Sequence, residues 1–589
     1  MAQSAADPVV RLTRALALGS VVALIALGLA WELWLAPTGS GTLALKVLPL
    51  LLPLPGLLRH RMYTFRWLSL LVWLYFLEGA VRATSESGLS QVLAAIEVLL
   101  CLVLFAACAL HVRWRLRSPL SMMKLLDELR GAVGAANVLC PPEDLSAYEQ
   151  DWRKRWRGRA AAVVRPGSTA EVAAVVRACA RHGTSLVPQG GNTGLVGGGV
   201  PGPGGNQIVL STRRLAAVRA IDADNLTMTV EAGCVLQQVQ EAAAARGLLF
   251  PLSLAAEGSC TIGGNLATNA GGTQVLRFGN ARDLCLGLEV VTPQGEVWDG
   301  LSGLRKDNTG YDLRGLLVGS EGTLGIITAA TLKLFPQPAA VTTALAACPS
   351  LDACVGLLAL ARARLDAGLT GFEVMNRFSL DLVARHFPAL PRPLPAAEWT
   401  VLLEQSDPEG EATARTRFEA LLEAAVEAGH VSDAVVAESL AQSKALWHVR
   451  ESIPLAQAEE GLNIKHDIAL PVSAIPGFCS RTDAELAARI PGVRLVNFGH
   501  LGDGNLHYNV QAPAGGDAAA FLLEREPEVN RIVYDAVQAV GGSISAEHGV
   551  GQLKRDELEH RKSATALQMM RAVKAALDPA GLMNPGRVV

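Results

Sequence analysis

PQGGNTGLVGGGV, residues 188–200, follows the strand-like run SLV and packs six glycines into thirteen positions. Glycines at that density let successive backbone N–H groups turn toward one point and let an anion come close, as a diphosphate requires. A literal G-x-G-x-x-G occurs at Gly197, Gly199 and Gly202, but Pro201 and the run PGPGGN stand where a dinucleotide fingerprint opens its helix, so that reading is rejected. No G-K-[ST] is present, which excludes a Walker A loop. Two further runs share the character of the first, GSCTIGGNLATNAGG at 258–272 and GSEGTLGIIT at 319–328, each beside a strand-like run. Ordinary tight turns account for any one of them. Three together point to a large phosphate-bearing cofactor cradled by loops.

Outward from these loops, short β-type runs between 160 and 335 (AAVVRP, SLVPQG, QIVLST, MTVEAG, LGLEVVT, GIITAATLKLF) alternate with alanine-rich helical runs (AEVAAVVRACARHG, LQQVQEAAAARG), a rhythm that predicts an α+β or α/β domain. Residues 336 to about 565 carry longer helices such as EGEATARTRFEALLEAAVEAGH and a few strands, LLEQS and LVNFGH among them. No repeat of fixed period is evident. At 589 residues the chain is too long for one core, so two or three domains are expected. A net charge of -3 argues against a nucleic-acid partner, which needs clustered Lys and Arg. The ten cysteines are scattered without a C-x-x-C pair and read as small buried residues, not as an iron-sulfur or structural zinc site. The basic run DWRKRWRGR, 151–159, reads equally as a solvated loop near a membrane surface or as a functional element.

Mean hydropathy is +0.28, and the excess lies in the first 112 residues. Apolar runs fall at roughly 16–35, 43–58, 67–83 and 90–112, against the ~20 residues a spanning helix needs. The first reads as a span, not a cleavable signal, because no small-residue cleavage site follows it and three more runs do. Arg11 and Arg14, then Arg59, Arg61 and Arg66, then RWRLR at 113–117 mark alternate loops as cytoplasmic. Four spans with both ends inside are therefore expected, with everything after residue 117 on the cytoplasmic side of a bacterial inner membrane. An amphipathic helix over 118–134 is the expected entry to the soluble part. The apolar segment resembles a family of small bacterial four-span membrane proteins.

In order, PQGGNTG, IGGNLATNAGG, RKDNTGYDL, GSEGTLGIIT and MNPGR near the end resemble the FAD-binding vanillyl-alcohol-oxidase-type flavoproteins, most closely their D-2-hydroxyglutarate and D-lactate dehydrogenase branch. The resemblance runs from about residue 118 to the end. It implies an α+β fold: a two-subdomain FAD-binding domain at 118–336, an α/β substrate cap domain at 337–565 and a segment at 566–589 returning to the FAD domain, all behind an all-α transmembrane segment at 1–117. It places Pro188, Gln189, Gly190, Gly191, Asn192, Thr193 and Gly194 at the diphosphate. Gly258, Ser259, Ile262, Gly263, Gly264, Asn265, Thr268 and Asn269 then surround the ribityl and flavin region. Gly319, Glu321, Gly322, Gly325, Ile326 and Ile327 fall at the adenine half, and Asn584 also faces the cofactor. Asn192 stands where covalently flavinylated relatives often carry histidine, so noncovalent FAD is expected.

Histidine is scarce, 11 in 589 residues, yet GHLGDGNLHYNVQ (499–511) and SAEHGVG (545–551) hold His500, His507 and His548, with Glu547 beside the last. If NFGH and LHYNV are strands joined by GDGN, His500 and His507 meet across the turn. Two imidazoles and a carboxylate with one position open make a divalent-metal site suited to substrate; zinc fits, as do manganese and iron. On the residues alone such a pair serves structure as readily. In the resembling family the two histidines and the glutamate of S-A-E-H-G bind metal and the adjacent histidine takes a proton. Carried over by position, His500, His507 and Glu547 are ligands and His548 is the general base.

Arg450 in LWHVRESIP matches the family's carboxylate arginine, Lys465 in LNIKHDIALP its lysine, and Asn509 a polar contact near the hydroxyl. Pro454 stands where hydroxyglutarate enzymes often have a hydroxyl residue, which removes a hydrogen bond and keeps D-lactate as the alternative substrate. The implied reaction oxidises a D-2-hydroxy acid to the 2-oxo acid, with the hydroxyl proton going to the base and a hydride to flavin N5. A quinone or an electron-transfer protein would take the electrons onward, and a homodimer is compatible with this reading. The alternative from another class is a membrane-anchored flavin sensor without turnover.

Overall fold

The structure, a computed structural model, describes residues 8–37, 42–59 and 61–589. The chain divides into two compact units, one formed by residues up to Gly131 with the loop Gly202–Asn206, the other by the remainder.

In the first unit, Val9–Leu35, Met62–Ser85 and Leu89–Arg113 are helices long and apolar enough to cross a membrane. The second apolar run differs from the expectation of a full span. It folds as the short pieces Thr42–Val47, Leu48–Leu51 and Leu54–Leu58, because Pro49, Pro53 and Pro55 each withhold an amide donor. Ala17, Val21, Leu68 and Leu104 are buried between the helices, while Leu52, Leu70 and Leu74 stay exposed on the outside. Charges in this unit turn inward and pair: Arg82 reaches Glu32 at 2.7 Å and Glu86 at 2.8 Å, and Lys46 reaches Glu78 at 2.5 Å. Such pairing is what apolar surroundings require of ionised side chains. The last helix is continuous over Leu89–Val133, past the boundary expected at residue 117.

Among the described residues the second unit contains three large sheets and a two-stranded one that pairs Leu248–Leu249 with Phe335–Pro336. The first orders Val138–Leu139, Ala160–Val164, Gln207–Ser211 and Leu186–Gln189, the last three parallel. Helix Thr169–His182 supplies the crossover after Ala160–Val164. Ser168 caps it by accepting the Glu171 amide, and Gly183 ends it at φ 61°. Five antiparallel strands make the second sheet, in the order Val218–Asp222, Thr227–Glu231, Ile326–Lys333, Cys285–Val291 and Val297–Gly300. The C-terminal run returns to the first sheet: the Leu186 amide donates to the Leu582 carbonyl, and the Asn584 amide donates back to Leu186.

The third sheet has eight strands, all antiparallel. Its spatial order is Asp433–Val436, Ala340–Cys348, Trp399–Asp407, Leu369–Asn376, Arg494–His500 and Asn505–Gln511, with Asn463–Ile464 and Asp467–Ala469 both on the last. Both faces are covered, and the period of two along each strand sorts the side chains. Val374, Val401 and Leu403 join one core with Phe418 and Phe478; Met375, Leu402 and Phe498 join another with Leu446 and Ile453.

Candidate active site

The three glycine runs converge on one cleft that opens to solvent. Its walls include Pro188, Gln189, Gly190, Gly191, Asn192, Thr193 and Gly194 from the first run, Gly263, Gly264, Asn265 and Thr268 from the second, and Glu321, Gly322, Gly325, Ile326 and Ile327 from the third, with Asn584. Close approach explains the glycines: a Cβ on Gly191 would stand 2.1 Å from the Ser259 carbonyl oxygen, and one on Gly190 2.3 Å from Thr261 Oγ1. Asn192, Asn269, Glu321 and Asn584 hold φ between 43° and 59°, a conformation that non-glycine residues keep only when their surroundings fix it. The Asn192 amide does so by donating to the carbonyls of Ala147 and Gln150, and Glu321 by accepting the amides of Val550 at 2.6 Å and Gly551 at 2.8 Å. Thr261 Oγ1 and Asn584 Oδ1 are buried in the lining without a hydrogen-bond partner. Unmet polar atoms and a glycine floor fit a phosphate-bearing cofactor held by backbone amides.

Five expected cofactor residues lie off this lining. Ile262 is packed into the hydrophobic core, Gly258 and Ser259 lie in the turn behind Gly191, Asn269 ends helix Ile262–Thr268 and accepts the Arg282 amide, and the Gly319 amide donates to the Leu266 carbonyl. Thr261, Gly197, Gly198 and Gly199, inside the glycine runs but not named singly, also line the cleft, and so do Asp151 and Thr212, which the sequence reading passed over.

The histidines are set by strand register. Glu373 is the direct partner of His500, and Asp467 the direct partner of His507, on four neighbouring strands. Direct partners point to one face, so the four side chains gather there. His500 Nε2 and His507 Nε2 stand 4.0 Å and 3.9 Å from the same oxygen, Glu547 Oε1, and the imidazole centroids are 5.4 Å apart. Ligands ~2.1 Å from a tetrahedral ion stand ~3.4 Å from one another, so both histidine nitrogens lie somewhat farther from the carboxylate oxygen than two bound ligands would. His500 Nδ1 donates to Glu373 at 2.6 Å, which turns Nε2 toward Glu547, where a bound cation would take the place of the Nε2 proton. Burial works against charge on both partners, yet their attraction, reinforced by Arg450 on the glutamate, holds Glu373 down to about 2 and lifts His500 to about 9.

Asp467, buried, His507, Glu547 and His548 offer ligand atoms within 4.8 Å of one another. The Asp467 oxygens are already engaged: Oδ2 accepts the amides of Glu547 and His548 at 3.0 Å and 2.9 Å, and Oδ1 accepts the Asn505 amide at 2.9 Å. We therefore read it as the clamp that shapes the SAEHG turn. His548 lines the cofactor cleft, and its Nδ1 lies 3.6 Å from Asp467 Oδ2. Burial lowers its pKa to about 4, which leaves a neutral ring able to accept a proton. Burial likewise raises Glu547 to about 7. The flavin loop touches this centre, since a Cβ on Gly271 would stand 2.8 Å from Glu547 Oε2.

Arg450 is not open to solvent or cleft in the way its motif suggests. Its Nε and Nη2 both donate to Glu373 Oε2, at 2.8 Å and 2.7 Å, and its guanidinium stacks over Phe498. Asn509 is held by Gln457 at 2.9 Å and by the His466 amide at 3.2 Å. Lys465 forms no hydrogen bond or ion pair with the described residues; burial, and then the charge of Arg153, lower it to about 8. Pro454 sits in the first turn of helix Ile453–Glu460, where a missing amide costs nothing. Glu373 and Asp467 carry no motif of their own. Only the register of strands more than a hundred residues apart for Glu373, and forty for Asp467, reveals them.

The glycine-lined cleft, with the family matches that cover it, defines an FAD-dependent oxidoreductase. Residues 160–300 match the family described as FAD binding domain, and 337–588 that described as FAD linked oxidases, C-terminal domain. Residues 16–116 match a family described as predicted membrane protein (DUF2069). D-2-hydroxyglutarate dehydrogenase of Xanthomonas citri pv. viticola is 41% identical over 78% of this chain and 96% of its own. The enzyme of the same name from Stutzerimonas stutzeri is 38% identical over 79% and 98%, and the mitochondrial one from Bos taurus 39% over 77% and 81%. Among solved structures, p-cresol methylhydroxylase superposes with a TM-score of 0.64 at 15% identity, covering 80% of this chain and 96% of that one, a likeness of fold. The chain belongs to the D-2-hydroxyglutarate dehydrogenase family of FAD-linked flavoproteins.

Proposed function

We propose that this protein oxidises a D-2-hydroxy acid, D-2-hydroxyglutarate in the first instance, to the 2-oxo acid. One observation carries the reading: His548 belongs at once to the cofactor cleft and to the histidine-carboxylate cluster, so a substrate hydroxyl held there is within the base's reach. The names of the relatives favour hydroxyglutarate over the alternative, D-lactate. FAD, held noncovalently, would supply a hydride acceptor at the cleft, and a divalent cation, zinc by its ligand set, would supply Lewis acidity toward the substrate hydroxyl. His500, His507 and Glu547 present the metal donors, and Glu373 fixes the first of them. Neutral His548 takes the hydroxyl proton while Asp467 keeps its ring in place. Lys465 holds a substrate carboxylate, and Arg450 stiffens the wall behind Glu373. The helices of the first unit anchor the enzyme in a bacterial inner membrane with its catalytic part on the cytoplasmic side, and a quinone takes the electrons.

The test is flavin bleaching under anaerobic conditions with a panel of D- and L-2-hydroxy acids. Bleaching by D-2-hydroxyglutarate, absent with the L form and slowed on the order of 100-fold or more in His548→Ala, is the expected result. Unchanged turnover in His548→Ala would revive the sensor reading, and preferential bleaching by D-lactate would move the substrate to the alternative.

A further inference from the structure

The first unit holds more charge among its helices than anchoring in a membrane requires. Besides the pairs already described, Lys46 stands 3.4 Å from Glu32 and Arg82 3.4 Å from Glu78, so the two cations are shared among Glu32, Glu78 and Glu86. Both also lie over the fully buried ring of Trp31, Arg82 at 3.9 Å and Lys46 at 4.9 Å from a ring centroid. Trp31 clusters in turn with Leu93 and Ala94 of helix Leu89–Val133. That contact sets the last helix against the ion pairs.

Glu97 lies one turn beyond Ala94 on that helix and is 4% exposed. A Cβ on Gly79 would stand 3.4 Å from Glu97 Cγ, and Gly79 follows Glu78 and precedes Arg82 by one turn. The missing side chain at Gly79 thus admits Glu97 beside the ion pairs. Its Oε2 is buried without a hydrogen-bond partner, and it forms no ion pair with the described residues, since Lys46 and Arg82 are spent on the other acids. Four carboxylates therefore meet two cations among helices long and apolar enough to cross a membrane. The remaining titratable neighbours bring no positive charge: Tyr75 donates its hydroxyl to the Lys46 carbonyl at 2.6 Å, and Cys101, one turn beyond Glu97, is buried. A carboxylate in such surroundings is costly until a positive charge joins it, and the protein offers none. We propose that Glu97 is a cation-binding site of the first unit, taking up one monovalent cation, a proton or a sodium ion, from outside the protein. The first unit then has a chemistry of its own besides anchoring.

Dicyclohexylcarbodiimide, an apolar reagent that couples to protonated carboxyl groups, tests this on the full-length protein purified in detergent with its flavin. Fragment mass spectrometry locates the label. In sodium-free buffer at mildly acidic pH, Glu97 should be labelled, and Glu97→Gln should lose that label. A water-soluble carbodiimide should reach exposed acids such as Asp127 and leave Glu97 unlabelled. Replacing choline chloride by sodium chloride at fixed pH separates the two cations. Labelling of Glu97 that sodium suppresses assigns a sodium ion; labelling indifferent to sodium that fades as pH rises assigns a proton. Either result supports the site. A Glu97 that the apolar reagent labels at no pH, that both reagents label equally, or whose labelling neither pH nor sodium alters would overturn the proposal.

Discussion

Glu373 shows how much one buried side chain can organise. It accepts from His500 and from Arg450 in the same core, so a variant that keeps the shape but drops the charge isolates its effect. Glu373→Gln should weaken metal binding on the order of 10- to 100-fold, read by competition with a chelating dye, while flavin content stays level. A variant that binds zinc as tightly as the parent would show that His500 needs no such support. Lys465 gives a prediction in pH. Its folded pKa, lowered to about 8, means that its charge is present below about pH 8 and lost above it. The KM for a carboxylate substrate should therefore climb as pH passes about 8, and Lys465→Arg should flatten that climb, since guanidinium keeps its proton. A flat KM profile from about pH 7 to about 9.5 in the unaltered protein would remove Lys465 from substrate binding. At this scale motifs held His500, His507, Glu547 and His548, which the structure brings near one another. The engagement of Arg450 gave no signal, because its partner Glu373 lies 77 positions away in a strand with no motif.

Elements explain why the glycine loops were legible and their neighbours less so. Dense glycine marks places where backbone meets backbone or ligand, and that requirement is local enough to read directly. Which other residues line the cleft depends on how three loops are stacked, and so Asp151 and Thr212 gave no signal in advance. The Gly191 position is the most constrained of the first loop. Gly191→Ala would drive a methyl to within 2.1 Å of the Ser259 carbonyl, pushing the first loop off the second. The purified variant should carry markedly less flavin, seen as a lower ratio of flavin to protein absorbance. Full flavin occupancy in Gly191→Ala would mean that the two loops do not meet as described. The apolar region teaches the complementary lesson: hydropathy found all four runs, but the prolines at 49, 53 and 55 decided that the second folds as short pieces.

Across the whole second unit, function depends on bringing a flavin cleft made by residues 188–327 against a histidine-carboxylate cluster made by residues 373–548. Glu321 joins them by accepting amides from the 545–551 turn, and the C-terminal run, through Asn584, closes the far side. None of these ties is visible in local pattern, since each spans more than two hundred residues. Order along the chain was readable; closure was not. The central claim, a metal-assisted oxidation at that junction, is tested most directly by chelation. Protein stripped of divalent metal, with its flavin retained, is mixed anaerobically with D-2-hydroxyglutarate, before and after zinc is returned. Flavin reduction should vanish on stripping and recover with zinc. Bleaching at the original rate in protein that elemental analysis shows to be metal-free would contradict the account.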